Sequence, residues 1–249
     1  MVLPKSAHQK ALAANMKHYP AVFQEGHFFR RGGHTLTGVV NFNGTPLFGK
    51  YVDFRQKKFT SRLRYYFMPS RGLWAAFIAD ILKKNGIPTP EVLGSGETRQ
   101  HGGLLCESYI FTELLKVTDG EAFLRETRND AAQFLTRARR LMQGLKVLHD
   151  AHVSHDDLKL DNLYLSDGKV GFWDLDSALY WPLMLPSRVR IRNVARLIVS
   201  ILSAWKEMPP PNGLNPTPSE LTTLCCRAYG DIDESAVQKQ VRDWFHDRL

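Results

Sequence analysis

With 249 residues, the chain is long enough for one large domain or for two lobes that each bury a hydrophobic core. Its net charge of +8 favours anionic partners such as nucleotides, nucleic acid, anionic lipid or phosphorylated glycan, with a solvated basic surface as the plain alternative. Cys106, Cys225 and Cys226 exclude a disulfide framework and a CxxC metal motif, which suits a reducing, cytoplasmic setting. Residues 1–19 lack the apolar core of a signal peptide, and no apolar run is long enough to span a membrane.

The first half of the chain is predicted to consist mostly of antiparallel strands. After a short helix candidate at residues 11–17, three strands are expected between residues 28 and 52. Gly32-Gly33 lies in the first turn, and Asn43-Gly44, a strong hairpin signal, forms the second.

Two features of these strands suit a bound anion. The pair Gly32-Gly33 lets backbone amides approach a ligand closely. Lys50 places a charge in an otherwise apolar strand, which is costly unless the charge is exposed or paired. Taken alone, the glycine pair is better explained as an ordinary turn, and Lys50 as a solvated strand residue.

The densest basic stretch lies between residues 54 and 67. We expect it to face the phosphates of a nucleic acid or an anionic lipid head group, with a solvated loop as the alternative. Five cations alternate there with aromatic residues, namely Arg55, Lys57, Lys58, Arg62 and Arg64.

One main helix and two more strands complete the first half. The helix opens after Pro69-Ser70 and ends at Asn85-Gly86. The strands are expected at residues 92–93 and 104–111. Residues 112–115 mark a boundary, because the hydrophobic pattern becomes helical after them.

The second half is predicted to be mostly helical. From residue 129 onward, apolar residues repeat at helical spacing, at Phe134, Ala138, Leu141, Leu145 and Leu148. Further helices are expected at residues 189–205, 219–229 and 235–248, with a loop at 209–213.

A group of polar residues follows the first of these helices. His155, Asp157, Lys159 and Asn162 lie at fixed offsets in one loop. Asp157 can accept a proton from an attacking hydroxyl, Lys159 can reach a transferring phosphate, and Asn162 offers an amide oxygen to Mg²⁺. The loop therefore predicts phosphoryl transfer from Mg-ATP.

Asp174 supplies the second predicted metal ligand. It follows a hairpin whose turn is predicted at Asp167-Gly168, and Trp173 and Leu175 flank it with apolar surface. Helix-capping Asp and Asn residues in a polar loop are the alternative explanation for the whole group. The ordered context of helix, loop, strand, turn and strand favours the catalytic explanation.

The group resembles the catalytic region of the protein-kinase-like fold, with residues 155–162 as the catalytic loop and residues 173–175 as the metal-binding triplet. The resemblance implies an α+β fold of two lobes. Residues 1–111 would form a nucleotide-binding lobe of antiparallel sheet with one main helix. Residues 112–249 would form a mostly helical lobe for catalysis and substrate binding.

The same resemblance implies roles for residues of the first lobe. Lys50 falls at the phosphate-binding lysine, and Gly32 and Gly33 fall at the glycine-rich loop. Backbone groups around Glu113 and Leu115 fall at the hinge, where they would meet adenine. ATP and Mg²⁺ are the implied cofactors.

Within that fold, the sequence is most similar to the bacterial lipopolysaccharide kinases, which phosphorylate heptose or Kdo sugars of the lipid A–core. The similarity rests on small size and on residues 86–90, 108–113 and 192–197. It implies a cytoplasmic enzyme, peripheral to the inner membrane, that binds the lipopolysaccharide core and no nucleic acid, with its oligomeric state left open. Basic side chains would suit this anionic substrate, at residues 55–64 and at Arg188, Arg190 and Arg192.

The sequence departs from the protein kinases in two places. No Ala-Pro-Glu segment follows Asp174, which argues against a protein substrate. Residues 70–82 contain no glutamate to pair with Lys50, so Asp80 pairs with it, another acid does, or the pair is missing. Two other functions stay open: a small-molecule kinase of the aminoglycoside or choline type, and a pseudokinase or anion-binding module without transfer activity.

Overall fold

The computed structural model describes residues 27–32, 34–42, 44–55, 57, 62, 64–100, 103–127, 130–207 and 216–246. The helix predicted at residues 11–17 and the loop predicted at 209–213 lie outside them. The chain divides into two compact units, Met1–Asp80 with Pro90–Lys116, and Ile81–Thr89 with Val117–Leu249. The functional division into residues 1–111 and 112–249 stays a prediction.

The first unit is built on a five-stranded antiparallel sheet with the order β1-β2-β3-β5-β4. The three strands predicted before residue 52 are present, and Gly44 takes the positive φ of 79° that a tight hairpin turn needs. The last two strands extend beyond the predicted residues 92–93 and 104–111. The five strands are β1 His27–Gly32, β2 Thr35–Phe42, β3 Thr45–Asp53, β4 Val92–Gln100 and β5 Leu104–Glu113.

The predicted main helix is present as α1, Arg71–Lys84. Its first turn lies directly on β5, because the Gly72 N–H donates to the Ser108 hydroxyl over 3.0 Å. A Cβ at Gly72 would lie 2.4 Å from the Tyr109 carbonyl oxygen, so this close approach requires a glycine. The sheet thus fixes the start of the helix.

The second unit is mostly helical, as predicted. The ends of its three last helices agree with the predicted ends to within two residues. The short helix α2 was not predicted. The helices are α2 Gly120–Arg125, α3 Ala131–Asp150, α4 Ser187–Glu207, α5 Pro218–Tyr229 and α6 Glu234–His246. In the part of the chain described, no helix is both long enough and apolar enough to cross a membrane.

Helix α3 forms the centre of this unit. Its N-cap is Asp130, whose side chain accepts a hydrogen bond from the Gln133 N–H over 2.9 Å and so caps the first turn. Each buried leucine of this helix contributes about 1.5–3 kcal/mol of transfer free energy. All five residues of the predicted apolar stripe are buried, namely Phe134, Ala138, Leu141, Leu145 and Leu148.

Two short strand pairs complete the second unit. β6 Val153–His155 pairs with β9 Ala178–Tyr180, and β7 Leu163–Ser166 pairs with β8 Lys169–Phe172. The β7–β8 hairpin confirms the predicted turn. It packs closely on α3, because a Cβ at Gly144 would lie 2.4 Å from the Cβ of Val170.

Candidate active site

The two ends of the segment that carries the predicted catalytic residues are hydrogen-bonded to each other. His155 in β6 pairs with Ala178 in β9, and the Asp156 N–H donates to the Ser177 carbonyl over 3.2 Å. The chain therefore leaves and returns at one place. This closure brings the catalytic loop and the residues after the hairpin into one neighbourhood.

The catalytic loop holds Asp157 and Asn162 against each other. A 3-10 turn at Leu160–Asn162 returns the chain, and the Asn162 side-chain nitrogen donates to the Asp157 carbonyl over 2.7 Å. The same nitrogen lies 3.4 Å from Asp157 Oδ2. Asn162 is buried, whereas Asp157 is exposed. The loop thus presents a carboxylate to solvent beside a fixed amide.

Asp174 directly follows a firmly held tryptophan. The Trp173 N–H donates to the Asn162 carbonyl over 3.2 Å, and its indole N–H donates to the Asp161 carbonyl. The Trp173 ring also stacks on Tyr164, with the ring centroids 5.2 Å apart. Asp174 itself is exposed and left-handed, with φ 55° and ψ 45°. Its backbone is therefore placed one residue from the Asn162 contact.

His155 connects the start of the loop to Trp173 and to helix α4. Its N–H donates to Asn193 Oδ1 over 2.9 Å, and its ring Nε2 donates to the Trp173 carbonyl over 3.0 Å. Burial lowers the pKa of His155, so the ring is neutral at neutral pH, while the carboxylates of Asp174 and Asp157 lie close enough to oppose this shift. Both predicted acids thus lie around one buried histidine.

Lys159 lies on the outer side of the same loop. Its side chain is 47% exposed, and its Nζ lies 3.8 Å from Asp161 Oδ2. Burial, together with the neighbouring Glu121 carboxyl, raises the pKa of Asp161. Contact of Lys159 with a transferring phosphate stays a prediction.

The oxygen atoms of this site suit Mg²⁺. Because the Asn162 nitrogen is used by Asp157, the amide oxygen is the atom left to bind a cation. In the described part of the chain, no cluster of three His, Cys, Asp or Glu side chains forms a complete metal cage. Mg²⁺ is normally bound by one or two protein oxygens together with substrate phosphates and water, so Asn162 and Asp174 fit this ion.

The predicted nucleotide-binding residues belong to the first unit. Lys50 lies on β3, opposite Ile110 of β5, on the sheet face that also carries Val52 and Ser108. This is the face on which α1 lies, since Ser108 contacts that helix. Gly32 ends β1, and Gly33 lies outside the described residues.

The predicted hinge residues follow β5 in the same unit. Glu113 ends the strand, and its side chain accepts a hydrogen bond from the Glu91 N–H over 2.8 Å. Leu115 lies two residues further, outside regular structure. The contact of this segment with adenine stays a prediction.

Several cations of the predicted basic stretch bond within the first unit. Arg55 pairs with Asp53 over 2.9 Å and with Glu107 over 3.1 Å. Arg62 donates to the Leu105 carbonyl over 3.0 Å, and Lys57 lies over the Phe54 ring. These side chains therefore support the end of β3 and its neighbour β5, whatever else they bind.

The arginines predicted near the start of α4 also have partners within the protein. Arg192 pairs with Asp156 over 2.5 Å, next to the catalytic loop. Arg190 donates to the Tyr229 hydroxyl over 3.0 Å and to the Asp231 carbonyl. Arg192 thus fixes the loop beside the candidate base.

Sequence reasoning missed the supporting role of Asn193. Its side-chain oxygen accepts from the His155 N–H and, over 3.2 Å, lies against Nε2 of His149. The only available signal was a polar residue inside an apolar helical pattern, and Asn193 is fully buried. Such a residue is expected to hold a hydrogen-bond partner, although the pattern does not name it.

The architecture is the two-lobed α+β fold of the protein-kinase-like class. Many chains of solved structures are similar to it. One of them, described as "WaaP in complex with acyl carrier protein", aligns with a TM-score of 0.68 and 18% identity, covering 99% of this chain and 96% of that one. No family model matches the sequence, and no curated protein matches it. The predicted resemblance is therefore confirmed at the level of the fold.

Proposed function

We propose that the protein is a kinase that transfers the γ-phosphate of Mg-ATP to a sugar hydroxyl, of heptose or Kdo, in the lipopolysaccharide core. The observation that carries this proposal is the contact between the Asn162 side-chain nitrogen and the Asp157 carbonyl. It holds a candidate base and a candidate metal ligand side by side in one loop. Phosphoryl transfer requires these two groups to be adjacent.

Asp157 is the general base of the proposed reaction. Its exposed carboxylate accepts the proton of the sugar hydroxyl while the hydroxyl oxygen forms a bond to the γ-phosphorus. The bond between that phosphorus and the β,γ-bridging oxygen breaks, and ADP leaves. Lys159, on the same loop, balances negative charge on the transferring group.

Asn162 and Asp174 hold Mg²⁺ in the proposed complex. The ion that they would hold would neutralise negative charge on the phosphates during transfer. The rigid environment of Trp173 supports this role, since it fixes the backbone on which Asp174 stands.

The first unit binds the nucleotide in this proposal. Lys50 contacts the phosphates, the turn at Gly32 and Gly33 covers them, and the backbone near Glu113 and Leu115 meets the adenine. Residues 1–111 would then act as the nucleotide-binding lobe and residues 112–249 as the catalytic and substrate-binding lobe.

Two observations support a lipopolysaccharide sugar as the acceptor. The sequence resembles the lipopolysaccharide kinases at residues 86–90, 108–113 and 192–197, and the solved WaaP structure has the same fold over 99% of this chain. After Asp174 the chain passes through a 3-10 turn at Leu175–Ser177 directly into β9, without the Ala-Pro-Glu segment of the protein kinases. The net charge of +8 suits a phosphorylated glycolipid at the cytoplasmic face of the inner membrane.

Transfer of label from γ-labelled ATP to lipopolysaccharide core tests the proposal. Asp157→Asn should reduce the transfer rate by roughly 10²–10⁴-fold, the usual contribution of a general base. Asp130→Asn is the matched control, because asparagine caps helix α3 as well as aspartate does. Full transfer by Asp157→Asn, with stability equal to that of the control, would remove Asp157 from this role.

A further inference from the structure

A cavity of about 400 Å³ opens beside Asp157 within the second unit. Its walls come from α2, the catalytic loop, α4 and α6. The catalytic loop contributes Asp157 and Lys159 to the lining, α4 contributes Arg196, and α6 contributes Trp244. The volume falls within the usual range for small-ligand sites.

The lining contains many carboxylates, but most already have a cationic partner. Apart from Asp157, each lining carboxylate takes part in an ion pair, Glu121 and Glu207 with Arg125, Asp156 with Arg192, and Asp161 with Lys159. A cation entering the cavity would therefore compete with these arginines and with Lys159. Paired carboxylates keep lone pairs that accept hydrogen bonds from sugar hydroxyls.

Two cations line the described part of the cavity, and of these Lys159 pairs with a carboxylate whereas Arg196 does not. Its side chain is half-buried, and within the described residues it has no hydrogen bond and no ion pair. Burial lowers the pKa of its guanidinium, with the nearby Arg192 acting in the same direction and Asp156 and Asp157 opposing it. A half-buried guanidinium that has no protein acceptor keeps its N–H groups available for an anionic ligand group that enters the cavity.

Trp244 gives the same wall an apolar face. The Arg196 guanidinium lies 5.8 Å from the Trp244 ring centroid, within cation–π range. A large ring beside an arginine can pack against the C–H face of a sugar while the arginine contacts a charged substituent. The geometry therefore offers one surface for the ring and one for its charge.

Building on the proposed kinase function, we propose that this cavity is the acceptor site and that Arg196 selects a sugar bearing an anionic group. That group is a carboxylate or a phosphate, and the sugar ring lies against Trp244. The hydroxyl to be phosphorylated then points to Asp157, which lines the same cavity. Arg196 and Trp244 are thereby specificity-determining residues, distinct from the groups that bind the nucleotide.

Ligand-observed NMR with two matched sugar pairs tests the inference without requiring catalysis. The first pair is a methyl glycoside of Kdo and its methyl ester, and the second is a phosphorylated heptose and the neutral heptose. In at least one pair, the wild-type protein should bind the anionic sugar at least about tenfold more tightly, as expected for one charge-assisted hydrogen bond. The pair that shows the preference identifies carboxylate or phosphate as the recognised group.

Two variants separate the two contacts. Arg196→Gln should bring the affinities of the anionic and neutral sugars to within about twofold of each other. Trp244→Leu should weaken both sugars while keeping the preference. Arg227→Gln is the matched control, since Arg227 is an exposed arginine of α5 outside the cavity, and it should behave as wild type.

The outcomes distinguish this inference from the kinase proposal. Equal affinity within both pairs, a preference that survives Arg196→Gln, or tighter binding of a cationic aminoglycoside would overturn it. Phosphate transfer without any preference for the anionic sugar would contradict the acceptor-site inference and leave the kinase proposal standing. An Arg196-dependent preference in a protein that transfers no phosphate would sustain the binding site and remove the kinase function.

Discussion

The side-chain nitrogen of Asn162 donates a hydrogen bond to the backbone carbonyl of Asp157 over 2.7 Å. Residues 157–162 are thereby closed into a ring, and the amide is oriented with its oxygen available. The same contact ties the proposed metal ligand to the proposed base, so a change at one should alter the position of the other.

Asn162→Ala should therefore affect both metal use and catalysis. We expect the Mg²⁺ concentration for half-maximal activity to rise and the transfer rate to fall by roughly 10–100-fold. Loss of the hydrogen bond should also cost about 1 kcal/mol of unfolding free energy. Asn85→Ala is the control, because the Asn85 side-chain nitrogen also donates to a backbone carbonyl, that of Ile81, over 2.9 Å. If both variants show the same Mg²⁺ dependence as wild type, Asn162 is not a ligand.

Two substitutions at Asp174 separate the effect of its charge from the effect of its left-handed backbone conformation. Asparagine tolerates the left-handed conformation seen at this position, with φ 55°, whereas alanine is disfavoured by about 1–2 kcal/mol. Asp174→Asn should keep the unfolding free energy of the wild type, and Asp174→Ala should lower it. Both should lose Mg²⁺-dependent nucleotide binding, measured with a fluorescent ATP analogue. Asp167→Asn, at another exposed left-handed aspartate, should bind as wild type does.

Gly144 should respond to substitution in the opposite direction from most helical glycines. Replacing an interior helical glycine by alanine ordinarily stabilises a protein by about 1 kcal/mol. Here the new Cβ would lie 2.4 Å from the Cβ of Val170, so Gly144→Ala should destabilise by about 1–3 kcal/mol. The double variant with Val170→Gly, which removes that Cβ, should recover part of this loss in a urea-unfolding cycle. Additive effects of the two substitutions would contradict the packing of β8 on α3.

His149 should make the second unit sensitive to acid. Burial lowers the pKa of His149 to about 4, and its ring lies between the Tyr229 hydroxyl and Asn193. Between this value and the unfolded pKa near 6.5, the unfolded chain binds more protons, so stability rises with pH. The contribution is fully present above about pH 6.5 and is lost as the pH falls towards 4, in total of the order of 3 kcal/mol.

Urea unfolding across this pH range measures the effect. The slope of unfolding free energy against pH should be smaller in His149→Gln than in the wild type. An exposed histidine contributes no such slope. Equal slopes in the two proteins would show that His149 is protonated as easily in the folded state as in the unfolded chain.

Helix α3 and the hairpin β7–β8 could be predicted because their signals are local. The apolar residues of α3 repeat at helical spacing, and Asp167-Gly168 marks the turn of the hairpin. The order of Asp157, Asn162 and Asp174 around these elements was enough to place the candidate site. Local sequence patterns therefore identified which side chains are candidates for catalysis.

The contacts that assemble the site could not be predicted, because they are not local. β6 and β9 have three residues each, too few to show a strand period, and the chain between them carries Asp157, Asn162 and Asp174. Asn193 is 38 residues from His155, and nothing in an apolar helical pattern tells which backbone group a buried amide will bind. Only the tertiary structure shows that α4 supports the loop that carries the candidate base.

The most direct test of the proposed function is the product formed from Mg-ATP and dephosphorylated lipopolysaccharide core, with a protein panel and an aminoglycoside as competing acceptors. We predict a new phosphomonoester on a heptose or Kdo residue, detected by phosphorus NMR, with wild-type protein and not with Asp157→Asn. Phosphate transfer to a protein or to the aminoglycoside would contradict the proposed function. So would the absence of any product under conditions in which the protein binds both nucleotide and core.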